Sequence, residues 1–157
     1  MQINLLCIGK TDDKEITSLI SYYIKRFPKH WNFEIIEIPD VKNAKNLSSE
    51  LLKKEEARLF LNYIDRTDLV MILDEKGKQY TSREFSQKID SWMNSSVKKI
   101  HLLIGGAYGF SEEIYTRAND KISLSKMTFT HQMIRLFIVE QLYRADQILQ
   151  GKPYHND

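Results

Sequence analysis

With 157 residues, 42% hydrophobic and 28% charged, the chain has the size and composition of one globular domain able to bury a core, which excludes disordered and fibrous classes. Its formal net charge of +2 selects no partner class, because a local patch matters more than the sum. Cys7 is the single cysteine, so no intramolecular disulfide forms, and no apolar run approaches the ~20 residues of a membrane helix.

The N-terminal Met1–Leu6 stretch lacks a basic n-region and a cleavage site, so a soluble cytoplasmic protein is expected, with no membrane partner. Ile3 to Ile8 is an apolar run ended by Gly9 and predicts a buried strand. Ile16, Leu19, Ile20, Tyr23, Ile24 and Phe27 recur at helical steps, and Phe27-Pro28 ends that helix. Trp31 to Ile38 predicts a second strand, stopped by Pro39-Asp40, and the polar Val41–Leu47 stretch predicts an exposed loop. Ser48 or Ser49 caps a helix running to about Ile64. Leu69 to Leu73 is continuously apolar, the pattern of a central strand. Thr81-Ser82-Arg83-Glu84 has capping-box spacing and opens a helix with Phe85, Ile89, Trp92 and Met93 inward.

Ile100–Ile104 is the next strand, and it breaks into Gly105-Gly106-Ala107-Tyr108-Gly109. Ser111-Glu112-Glu113 then supplies a cap and two carboxylates suited to a helix N-terminus. A final helix spans about His131 to Gln150, and Gly151 and Pro153 end it. Strands alternating with helices predict a three-layer α/β sandwich on a mostly parallel sheet. The last helix carries Met133, Ile134, Leu136, Phe137, Ile138, Val139, Leu142, Tyr143, Ile148 and Leu149, apolar over most of its circumference. Such a helix is covered on more than one side, by a second subunit or by the core of a monomer.

The glycine run is Gly-Gly-x-x-Gly, which fits neither a dinucleotide loop nor a P-loop, and a plain turn is the competing reading. Leu124-Ser125-Lys126-Met127-Thr128-Phe129 is too short for a helix and too apolar for a solvated loop. It either packs into the core or walls a ligand site beside Leu73 and Gly105, with apolar surface for a base and backbone groups for its edge. Such a site suits an adenosine cofactor without phosphates, and S-adenosylmethionine fits. His30, His101, His131 and His155 lack metal-ligand spacing, so no metal is expected. Glu140 and Arg144, one turn apart, form a surface pair or part of a site with Tyr154 and His155.

Leu102–Gly109, Leu124–Arg135, Glu140–Ala145 and Pro153-Tyr154-His155 together resemble the ribosomal RNA large subunit methyltransferase H family. Ile8-Gly9-Lys10, Glu37–Asp40 and Leu73–Lys78 extend that resemblance over the whole chain. It implies a single SPOUT methyltransferase domain over residues 1–157, whose C-terminal part forms a deep trefoil knot, and an obligate homodimer. It also implies methylation by S-adenosylmethionine of N3 of a pseudouridine in the helix 69 loop of 23S rRNA, on the assembled ribosome and with no DNA partner. By position, Leu73, Gly105, Leu124, Ser125, Lys126, Met127, Thr128 and Phe129 then contact the cofactor. Arg144, Tyr154 and His155 lie beside the target base, and His155 is the histidine placed to take the imide proton.

The chain departs from the family pattern at three places. Thr130 replaces a proline, Glu55-Glu56-Ala57 replaces a Glu-Gly pair with an effect expected only on helix packing, and Asn156-Asp157 replaces a basic end. Lys25, Arg26, Lys29, His30 and the Lys42–Lys45 loop are candidate RNA contacts. A non-catalytic ribosome-binding module with the same fold is the alternative.

Overall fold

The computed structural model describes residues 1–156, and Asp157 of the polar tail lies outside them. Five strands form one sheet in the order β2-β1-β4-β3-β5, and every neighbouring pair is parallel. They are β1 (Gln2–Ile8), β2 (Phe33–Ile38), β3 (Leu69–Lys78), β4 (Lys99–Ile104) and β5 (Asp120–Ile122). The helices are α1 (Lys14–Ile24), α2 (Ser49–Leu61), α3 (Ser82–Met93), α4 (Glu112–Arg117) and α5 (His131–Leu149).

Side-chain alternation along the strands divides the core into two layers. Ile3, Leu5, Cys7, Met71, Ile100, Leu102 and Ile104 face α1, α3 and α5. Leu6, Val70, Ile72 and Leu103 face α2 and α4. This two-sided burial explains the unbroken apolar runs in the central strands. In the buried layer the Cys7 thiol is pushed up to about 12, burial being the main cause, and stays an unreactive hydrophobe. α5 lies between α1 and α3 on the sheet, which accounts for much of its apolar circumference.

Local chemistry sets the helix starts. Asp13 accepts the Ile16 amide at 3.0 Å, Ser48 the Leu51 amide at 3.2 Å, and Thr130 the Met133 amide at 3.2 Å. Thr81 and Glu84 close the predicted capping box. Ser111 stands at the start of α4, but its hydroxyl is buried and makes no cap hydrogen bond. Four boundaries also differ from expectation, the first being α1, which stops at Ile24, three residues before Phe27. Trp31 sits in a 3-10 turn, because Asn32 at φ 42° breaks the extended backbone before β2. α2 stops at Leu61, three residues early. β3 runs five residues past Leu73, because Lys78 rejoins β5 after an interruption of the ladder. There Gly77 is required, since a Cβ would stand 2.5 Å from the Ile122 carbonyl carbon.

A polar chain lies beneath α2 and α4. Gln2 donates to Asn4 Oδ1 at 3.1 Å, and Asn4 Nδ2 lies 3.4 Å from His101 Nδ1. His101 Nε2 therefore carries the proton and donates to Asp68 Oδ2 at 2.9 Å. Burial raises the Asp68 carboxyl, but the Asp65 amide and His101 outweigh it and hold the group below its ordinary value. Its stabilisation is thus present above the ordinary carboxylate range and lost as pH falls through the lower folded value. Asp68→Ala leaves His101 buried without its partner and is expected to cost about 3 kcal/mol in urea unfolding at neutral pH.

Candidate active site

The C-terminal ends of β3 and β4 open into a cavity of about 420 Å³. Its lining includes Leu73 from β3, Gly105 to Gly109 after β4, and the chain between β5 and α5. Of the eight residues expected at the cofactor, Leu73, Gly105, Leu124, Ser125, Met127, Thr128 and Phe129 line this space, whereas Lys126 is not in its wall. Most of the Leu124–Phe129 run is wall, with Met127 75% exposed and Phe129 42% exposed, while half-buried Leu124 also packs against the core. Ser123 Oγ donates to the Ser125 carbonyl at 2.8 Å, and Ser125 Oγ accepts the Met127 amide at 3.0 Å, so the run holds its own shape. Phe129 packs on Phe137 of α5 with ring centroids 4.8 Å apart.

The glycine run forms a tight turn, with the Gly109 amide donating to the Gly106 carbonyl at 3.1 Å and Gly109 at φ 77°. Gly105 lies close to the Gly109 backbone and the Phe110 ring, both 3.3 Å from where a Cβ would stand. Sequence reasoning missed Asp74, Glu75, Tyr115 and Ile134 in the cavity wall. The Tyr115 hydroxyl donates to Asp74 Oδ2. Burial first, and then that carboxylate, raises the phenol well above its ordinary value, so Tyr115 remains a neutral donor. A charged residue directly after an apolar strand was the available signal for Asp74.

Arg144, Tyr154 and His155 form a second cluster, where the tail folds back on the end of α5. Arg144 Nη2 donates to Glu140 Oε1 at 2.6 Å, and its Nη1 lies 3.4 Å from His155 Nδ1. The guanidinium also stands over the Tyr154 ring at 4.8 Å. The Tyr154 hydroxyl donates to Glu140 Oε1 at 3.1 Å, which makes Glu140 the common anchor. Burial, the Tyr23 hydrogen bond and the Glu140 charge raise the Tyr154 phenol, so it is not a base at neutral pH. Tyr143 packs edge-on against Tyr154, and Tyr23 against Tyr143, which ties the cluster to α1.

The two groups are apart within one chain. Arg144, Tyr154 and His155 do not line the cavity, and Arg144 follows the cavity residue Ile134 by ten positions of α5. At the α-helical rise that is roughly 15 Å along the axis.

A family model described as "Predicted SPOUT methyltransferase" matches residues 1–155. The chain is 52% identical to the ribosomal RNA large subunit methyltransferase H of Christiangramia forsetii over 156 residues, 99% of each chain. It is 51% identical to the protein of the same name from Cytophaga hutchinsonii, over 99% of this chain and all of that one. The corresponding protein of Flavobacterium johnsoniae is 49% identical over 99% of each chain. Matched by a SPOUT methyltransferase family model over residues 1–155 and by these relatives over 99% of its length, this chain is a member of the ribosomal RNA large subunit methyltransferase H family.

Proposed function

We propose that the chain transfers a methyl group from S-adenosylmethionine to N3 of a pseudouridine in the helix 69 loop of 23S rRNA, on the assembled ribosome. The observation that carries this reading is the cavity, where Leu73, the glycine turn and the Leu124–Phe129 run meet. Leu73, Ile104, Leu124 and Ile134 give it apolar surface for an adenine, and the turn gives backbone groups for its edge. Asp74 and Glu75 outnumber Lys76 in the lining, a balance that suits a sulfonium and an ammonium and opposes a polyphosphate. The cavity residues thus fit this methyl donor. Lys126 is proposed as a contact through its place in the run, although its side chain lies outside the wall. Membership of the family supports a C-terminal chain threaded as a deep trefoil knot.

Bound there, the cofactor supplies an electrophilic methyl carbon. The N3 electron pair forms the new C–N bond, the C–S bond electrons stay on sulfur, and the imide proton leaves. In our reading Arg144 turns onto the imidate oxygen as charge develops, which frees His155 Nδ1 to accept the proton. Tyr154 offers its ring to the base.

A homodimer joins the two groups. On α1, Leu19 and Tyr22 are exposed large apolar residues, and Phe137 and Tyr143 of α5 are only partly buried. A second copy seated on this α1–α5 face would bring its own Arg144 cluster toward the first chain's cavity. Calorimetry with S-adenosylmethionine tests the pocket. Binding that Leu124→Asp abolishes is expected, and a wild-type chain that takes up no cofactor would refute the assignment.

A further inference from the structure

Glu56 is a carboxylate in the middle of α2, only 6% exposed, with no cation paired to it among the described residues. Its side chain ends at the glycine turn. The carboxylate lies against Gly106, where a Cβ would stand 2.2 Å from Oε1 and 2.6 Å from Oε2. The carboxylate therefore occupies the space that the missing side chain leaves. Gly106 and Ala107 line the cofactor cavity on one side. On the other they line a second cavity of about 630 Å³ whose wall includes Glu56. The turn is a partition, and Glu56 holds it from behind.

We propose that Glu56 is a positioning residue for the methyl donor, fixing the Gly105–Gly106 backbone in the geometry that the cofactor requires. The proposal rests on the cofactor reading above. It revises the expectation that this departure from the family pattern affects only helix packing. A buried carboxylate packed against the turn fixes its backbone, so truncating it leaves a void behind a segment that lines the cofactor cavity. Burial, opposed by the Gly106 amide and reinforced by Asp40, raises the Glu56 carboxyl above its ordinary value. Protonation on acidification then removes the charge that packs against the turn. The other charged or titratable groups around the second cavity are Lys10 and Asp12 before α1, Glu37 and Asp40 at the end of β2, and His131 and Arg135 on α5.

Calorimetry of S-adenosylmethionine binding to the full chain is the test. Glu56→Ala should weaken binding about tenfold, with kcat at saturating cofactor unchanged. Gly106→Ala should weaken binding in the wild-type background and add little in the Glu56→Ala background, because the atoms that would collide are then gone. As pH falls, wild-type affinity should weaken through a step that the near-isosteric Glu56→Gln lacks. If Glu56→Ala and Glu56→Gln bind like a binding-competent wild type at every pH, the role of Glu56 is overturned and the pocket assignment stands. If the wild type binds no cofactor, the pocket assignment itself fails.

Discussion

Arg144→Ala and His155→Ala should each lose methyl transfer while keeping cofactor affinity. Neither side chain lines the cavity, so binding of S-adenosylmethionine should be unchanged within error. Loss of His155 as proton acceptor should lower kcat by about 10²- to 10⁴-fold. Loss of the Arg144 charge at the imidate oxygen should cost about 10²- to 10³-fold. The local architecture sharpens the expectation for Arg144. Its guanidinium contacts Glu140, His155 and the Tyr154 ring together, so a lysine cannot replace the planar fork and should rescue little. Glu140→Gln should keep part of the activity, since an amide oxygen still accepts from Tyr154 and Arg144. Single-turnover assays on ribosomes lacking the modification, run beside calorimetry, measure both quantities. Normal turnover by Arg144→Ala and His155→Ala would remove the cluster from the chemistry.

Mixing two inactive variants restores activity if the site is shared between chains. One chain carries Arg144→Ala and an intact cavity, and the other carries Leu124→Asp and an intact cluster. A random mixture of dimers would then contain about a quarter of the wild-type number of complete sites, all in heterodimers. If each chain used its own cluster, no complete site would exist and the mixture would remain dead. The geometry favours the first result, because α5 separates the cavity from Arg144 by roughly 15 Å in one chain. Introducing a charge at Leu19, exposed on the face proposed to meet the second copy and outside the Arg144 cluster, should give monomers that bind cofactor and transfer nothing. Light scattering and the transfer assay together decide it.

The parts of the fold legible in the sequence were those whose pattern has a local cause. The central strands are apolar on both faces because helices cover both, and the run Leu69–Leu73 showed this without any partner in view. Thr81 and Glu84 announced a helix start because the capping box closes within four residues. Long-range pairing had no such signature. The extension of β3 to Lys78 depends on β5, some forty residues later, and Asp74 to Gly77 are polar or flexible. Ser111 had the sequence of a cap, yet the turn buries its hydroxyl instead.

The site was legible in the same uneven way. Leu124–Phe129 stood out because an exposed apolar run has to meet something, and the resemblance to the family made it half of a pocket. Arg144, Tyr154 and His155 were separable from ordinary surface residues only through that resemblance, since the Glu140–Arg144 spacing alone describes any solvated helix. Glu56 was legible only as a change in helix packing, because its burial against Gly106 is a tertiary contact with no local pattern.

The central claim is the identity of the methylated atom. Purified ribosomes lacking the modification, incubated with the chain and labelled S-adenosylmethionine, should gain label in 23S rRNA at N3 of one pseudouridine in the helix 69 loop, as mapped by nuclease digestion and mass spectrometry. Label at another nucleotide, or none on ribosomes that the protein demonstrably binds, would contradict the account.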